Sequence, residues 1–151
     1  MNAGARHIAR ETAVSAGING ALSLGFFQLM FGRLDEVTVW GPGNYAMDFL
    51  PQSFAVGLMS ALVPSMMLRL AVAKGRFAPA APLVPLPRSI VLQALLTAVV
   101  ALVGGSALAM LMLWTAGVGA IGSAAALAFK VLYGAALGGL ITFVTLRRMI
   151  H

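Results

Sequence analysis

Long stretches without a charged residue constrain this chain more than any other feature of its sequence. Residues 12–32 and 49–68 are uncharged, and residues 89–129 form a longer run that Lys130 separates from the uncharged residues 131–146. A helix needs about 20 apolar residues to cross the hydrocarbon core of a bilayer. The first two runs fit one span each, whereas the run over 89–129 is too long for a single helix.

A glycine-rich segment, residues 115–122, divides the long run and predicts a break between two helices. We therefore predict an all-α integral membrane protein, a four-transmembrane-helix bundle. Its helices are expected at about 12–32, 49–72, 89–113 and 124–147. Charged residues make up 9% of the chain, against about 25% in soluble domains, which agrees with one transmembrane domain over 1–151.

The first run could instead be a cleaved signal peptide, because Arg6 and Arg10 precede it. It is longer than the apolar region of a signal peptide, and no small-residue cleavage site follows it cleanly. We therefore expect the run to remain as a membrane span.

The distribution of basic residues predicts the orientation, because cytoplasmic loops are enriched in Lys and Arg. Only Arg33 and Lys130 fall on one side of the predicted spans. The other side holds Arg6, Arg10, Arg69, Lys74, Arg76, Arg88, Arg147 and Arg148. Both termini are thus expected in the cytoplasm, with the protein in a bacterial inner (plasma) membrane. Trp40, Tyr45 and Trp114 are then expected at the outer interface.

Two loops connect the predicted helices. Prolines at 79, 82 and 85 in the cytoplasmic linker, residues 73–88, have the period of polyproline II, which favours a stiff connector and leaves a docking motif as the alternative. The outer loop, residues 33–48, is expected to lie on the head groups, or else to form a structured lid. Asp48 and Pro51 predict a capped start of the second helix.

Small residues recur at four-residue spacing in every predicted span, a pattern that brings membrane helices into close contact. The first span carries the glycine row, which we define as Ala13, Gly17, Ala21 and Gly25. The corresponding rows in the other spans are Ser53, Gly57, Ala61 and Ser65; Thr97, Ala101, Gly105 and Ala109; and Gly134, Gly138 and Thr142. Four such rows predict a compact bundle.

The first helix also carries a polar row, defined as Glu11, Ser15, Asn19 and Ser23, which lies about 200° from the glycine row. Gln28 projects on the side of the glycine row instead. Polar groups on two faces predict that the helix is contacted from both sides, by its own bundle and by another subunit. Alternatively, the two amides bond to nearby backbone carbonyls.

Catalytic and metal-binding residues are scarce. The chain has no cysteine, His7 and His151 lie near its ends, and no carboxylate lies inside a predicted span. We therefore expect no enzyme activity, no cofactor and no metal. The chain has ten Lys and Arg, and most of them flank the predicted spans on the cytoplasmic side. They are too sparse to line a groove for nucleic acid, so the chain is not expected to bind it.

Lys130 is the ionisable residue that stands out, about two turns into the fourth helix and in register with Gly134 and Gly138. Its side chain either extends outward to the interface or points into the bundle. In the second case it pairs with Asp48 or presents its charge to an anionic ligand or lipid head group.

These features predict a non-catalytic membrane protein that acts by helix–helix association, as an accessory subunit of a membrane complex or as a homo-oligomer. Its expected partners are membrane lipids and other membrane subunits or copies of itself. The alternative is a small transporter or channel for a solute or lipid. Its polar path would lie near Asn19, Gln28 and Lys130.

Overall fold

The computed structural model describes residues 3–76 and 89–149. Within these ranges, four helices are long and apolar enough to cross a membrane, as the sequence predicts. The helical elements are α1 (Ala3–Phe31), α2 (Phe49–Ala73), α3 (Ile90–Val100), a π-helical turn (Ala101–Gly105), α4 (Ser106–Thr115) and α5 (Ser123–Arg147). The segments from Ile90 to Thr115 form one continuous third span.

One helix boundary and one internal feature differ from the predictions. Helix α1 begins at Ala3, not near residue 12, because an apolar run marks the part of a helix that can lie in lipid, whereas the helix itself continues through polar residues. The third span contains a turn of π-helix, Ala101–Gly105, that the sequence pattern did not predict. Most of the proline-rich linker, residues 77–88, lies outside the described residues.

Helix α5 has its most extensive contact with α1, and α2 lies between α5 and the third span. We call the end of the bundle that contains Phe31, Phe49 and Ser123 the sheet end, and the end near Ala3 and Arg147 the terminal end. At the terminal end, a small apolar cluster of Ile8, Leu68 and Leu146 joins α1, α2 and α5.

A two-stranded antiparallel sheet covers the sheet end. It pairs β1 (Glu36–Thr38) with β2 (Ala120–Gly122), and Val37 lies opposite Ile121. The Val39 N–H donates to the Gly119 carbonyl at 2.9 Å, which extends the link between the two loops. Val37 and Val39 are buried, so the loop of residues 33–48 packs on the bundle.

Aromatic side chains fill the core beneath this sheet. Phe27, Phe31, Tyr45 and Phe49 are all buried, and the Tyr45 and Phe49 rings meet edge to face at 5.1 Å. Tyr45, which the sequence places at the outer interface, is instead packed inside the core. Its hydroxyl donates to the Ala126 carbonyl at 2.6 Å, which satisfies the polar group inside the core.

Candidate functional site

Three of the four small-residue rows lie in contacts between helices. The α2 row (Ser53, Gly57, Ala61 and Ser65) and the α5 row (Gly134, Gly138 and Thr142) are buried. In the third span, Ala101 and Ala109 are buried, and Thr97 and Gly105 are half-buried. A Cβ at Gly57 would lie 2.6 Å from the Ala101 Cβ, so glycine permits the close approach of α2 to the third span.

Helix α1 uses its other face. Ser15, Asn19 and Ser23 of the polar row are buried. They pack against the glycines of α5. A Cβ added at Gly134 would overlap the Ser23 hydroxyl, and one at Gly138 would overlap the Asn19 amide. The polar row therefore forms the contact between α1 and α5.

The glycine row lies on the outside of the bundle. All four of its residues are exposed, and at Gly17 and Gly25 no neighbouring atom lies within 4 Å of the position that a Cβ would take. The expectation that this row packs like the other three is wrong within a single chain. Serine and asparagine side chains gain hydrogen bonds by facing the interior of the bundle, whereas glycine and alanine lose none by facing lipid.

The polar row takes part in a buried hydrogen-bond network at mid-bundle. The Asn19 Nδ2 donates to the Ser15 carbonyl at 2.8 Å and to the Ser60 hydroxyl at 3.0 Å. The Thr142 hydroxyl donates to the Ser15 hydroxyl at 2.7 Å. Asn19 thus bonds to a carbonyl of its own helix, as one alternative expected, and it also joins α1 to α2.

The network continues toward the sheet end. The Ser23 hydroxyl donates to the Asn19 carbonyl at 2.8 Å, and the Gln52 Nε2 donates to the Ser23 hydroxyl at 2.7 Å. The same Gln52 nitrogen lies 3.5 Å from the Lys130 carbonyl oxygen. Hydrogen bonds therefore connect the middle of α1 with the backbone at Lys130.

Lys130 points into the bundle, and its Nζ forms an ion pair with the Asp48 Oδ2. The alternative in which Lys130 extends to the interface is wrong, because its side chain is 1% exposed, against 21% for that of Asp48.

We define the aromatic box as Phe31, Tyr45 and Phe49. Their ring centroids lie 5.7, 5.6 and 5.4 Å from the Lys130 Nζ, within cation–π range. Burial raises the pKa of the Tyr45 phenol above its ordinary value.

Asp48 precedes α2 but makes no side-chain capping hydrogen bond, so the predicted cap is absent. A residue in this position normally accepts from an N–H two or three residues further along. The Leu50 N–H already donates to the Met47 carbonyl at 3.2 Å, and Pro51 has no N–H. The carboxylate is therefore available to Lys130.

Gln28 does not join these residues. It is exposed in the last turn of α1, on the side of the glycine row. Of the four predicted site residues, Lys130 and Asp48 are in contact, and the Asn19 carbonyl is connected to the Lys130 carbonyl through Ser23 and Gln52. A path that includes Gln28 together with Asn19 and Lys130 is not present.

Several polar residues of this region were missed by the sequence reasoning. Gln52 links Ser23 to Lys130, as described above. The Tyr133 hydroxyl lies 2.6 Å from the Ser53 hydroxyl. The Ser106 hydroxyl donates to the Ser53 hydroxyl at 3.1 Å. Gln52 could have been noticed as an amide near the start of a span, one turn from Asp48, but its partner could not.

Among residues 3–76 and 89–149, no group of three or more His, Cys, Asp or Glu side chains could hold a metal ion. Comparison with models of protein families, with curated proteins and with solved structures finds no match to this chain.

Proposed function

We propose that this protein is a non-catalytic membrane protein that acts by helix–helix association, through the glycine row of α1. It serves as an accessory subunit of a membrane complex or as a homo-oligomer. The observation that supports the proposal is the exposure of the glycine row, because the other three small-residue rows lie within the bundle.

Small residues on a lipid-facing surface allow a second helix to approach closely, and van der Waals packing then drives association. The open space beside Gly17 and Gly25 offers such a surface over two turns of α1. Gln28 continues this face near the sheet end. Its amide can both donate and accept a hydrogen bond, so a neighbouring helix gives it a partner that lipid does not.

The proposed orientation places both termini in the cytoplasm of a bacterial cell, with the protein in the inner membrane. Arg33 lies at the sheet end, two residues beyond the end of α1 at Phe31. Seven described basic residues are exposed at the terminal end: Arg6, Arg10, Arg69, Lys74, Arg76, Arg147 and Arg148. This asymmetry supports the orientation by the positive-inside rule.

A small transporter or channel is the second candidate. One observation favours it, the hydrogen bonds that connect the Asn19 carbonyl through Ser23 and Gln52 to the Lys130 carbonyl. Gln28 lies outside this connection, which removes one of the three residues expected to line a path. Association through the glycine row is therefore the better supported function.

The test is the oligomeric state after extraction in a mild detergent, measured by native mass spectrometry. Gly17→Leu and Gly25→Leu fill the open face without touching the bundle, since no atom lies near either Cβ position. Ala55→Leu and Ala136→Leu are matched controls on exposed faces of α2 and α5. We expect the wild-type chain and both controls to carry a stoichiometric partner or second copy.

The two glycine-row variants should be monomeric, with unchanged helix content. A monomeric wild-type chain, or Leu variants that associate as well as the controls do, would contradict the proposal.

A further inference from the structure

The Asp48 carboxylate lies between solvent at the sheet end and an ammonium group that is almost completely buried. Its side chain is 21% exposed, whereas that of Lys130 is 1% exposed. Within the described residues, the carboxylate is the anionic group paired with this ammonium. The ion pair can therefore be approached from the side of the carboxylate.

The ammonium side of the pair is held in place from several directions. Lys130 lies seven residues after Ser123, the first residue of α5, which is about 10 Å along the helix axis. The aromatic box surrounds its Nζ, and the hydroxyl of one box residue, Tyr45, is anchored on the Ala126 carbonyl. These contacts keep the positive charge in a dry, preformed position.

The carboxylate side is held by fewer contacts. Asp48 makes no capping hydrogen bond to α2, because Pro51 has no N–H and the Leu50 N–H already donates to the Met47 carbonyl. Its side chain is thus attached to the bundle through Lys130 and not through the helix that it precedes. Rotation of the Asp48 side chain toward solvent would break the ion pair without breaking a side-chain cap of α2.

We propose that Lys130 and the aromatic box form a binding site for the carboxylate of an external ligand, which Asp48 occupies when that ligand is absent. The class of ligand follows from the present occupant, which is itself a carboxylate. A buried ammonium without a counter-ion is strongly destabilising, so release of Asp48 is favourable only when another anion takes its place. The ligand is a water-soluble carboxylic acid or a fatty acid from the membrane.

The test is the binding of formate, the smallest carboxylate, to the purified full-length Asp48→Ala variant. The melting temperature is measured in rising formate and compared with chloride at equal ionic strength. We expect a saturable increase in formate, because a ligand that binds the folded state stabilises it. The apparent affinity should be at least about tenfold higher than in the wild-type chain, in which the tethered Asp48 competes.

The control is the double variant Lys130→Met/Asp48→Ala, which lacks both charges and should not respond to formate. If Asp48→Ala does not fold, Asp48→Asn retains the side-chain volume, and the same comparison applies to it. Equal stabilisation by formate and chloride would overturn the proposal. So would an undiminished response of the double variant, or a wild-type affinity equal to that of Asp48→Ala.

A second measurement on the same variants separates the two sources of the carboxylate, with decanoate as the probe and decanol as its uncharged control. Stronger Lys130-dependent binding of decanoate than of formate supports a fatty acid. Equal or weaker binding supports a water-soluble acid. Lys130-independent effects of both decanoate and formate contradict the site.

Discussion

Removing the two partners of the buried ion pair should have unequal effects on stability. Asp48→Ala leaves the Lys130 ammonium without a counter-ion in a position that is 1% exposed. Lys130→Met leaves the Asp48 carboxylate, which is 21% exposed and can be solvated further by rotating outward. The aspartate substitution should therefore be the more destabilising, in chloride buffer without added carboxylate.

The expected magnitudes follow from burial. Leaving one member of a buried pair without its partner costs about 3–5 kcal/mol in the free energy of unfolding, which we expect for Asp48→Ala. A part-exposed carboxylate near a helix N-terminus loses much less free energy without its partner than a buried ammonium does. Lys130→Met should therefore cost about 1 kcal/mol in the free energy of unfolding. The double variant should lie within about 1 kcal/mol of the wild-type chain, because it removes both charges together.

The assay is unfolding by denaturant in detergent, followed by tryptophan fluorescence. The two tryptophans of the chain, Trp40 and Trp114, lie at the sheet end, and the Trp40 Nε1 donates to the Val118 carbonyl at 3.0 Å. They therefore report on the region around the ion pair. Equal losses for the two single variants, or a double variant as unstable as their sum, would refute the reasoning.

Three further predictions concern the helix contacts and the sheet end. Gly138→Ala should lower the free energy of unfolding by about 1–3 kcal/mol, because its Cβ would overlap Asn19. Gly17→Ala meets no atom of its own chain, so denaturant titration should show a smaller loss for it than for Gly138→Ala. Asn19→Leu should cost about 1–2 kcal/mol in the same assay, because it removes the bonds to the Ser15 carbonyl and the Ser60 hydroxyl; no loss would contradict the network. Burial raises the pKa of Tyr45, so the folded state holds this proton more tightly than the unfolded state, and the associated stability is lost as pH rises above about 10. Tyr45→Phe should therefore lose less stability than the wild-type chain between about pH 8 and about pH 11, and an equal loss would contradict this assignment.

The sequence was sufficient to predict the four spans, because the length of an uncharged run directly reflects the thickness of a bilayer. It could not place the start of α1 at Ala3. Arg6 and Arg10 mark where the apolar run begins, but a helix can extend through them beyond the lipid. The pairing of Glu36–Thr38 with Ala120–Gly122 is equally hidden. Strands of three residues that lie far apart in the chain leave no periodic signal.

The spacing of residues identified the rows on α1 but not the direction in which each row faces. The glycine row resembles the rows that pack in the other spans, so sequence reasoning favoured it as a contact. Which row of α1 faces the bundle depends on the helix that α1 packs against, because the α5 glycines leave space for Ser23 and Asn19. The pairing of Lys130 with Asp48 was one of several alternatives, and the effect of Pro51 on Asp48 became apparent only from the backbone at the start of α2.

Association through the glycine row is tested most directly by site-specific cross-linking in native membranes. The chain contains no cysteine, so a single cysteine at Ala21, labelled with a short photoreactive group, reports on that position alone. The same label at Ala136, exposed on α5, is the matched control. We predict one cross-linked product of defined mass from position 21, either a dimer of the chain or an adduct with one other subunit, and none from position 136. Equal labelling of lipid at both positions, without a protein product from position 21, would contradict the account.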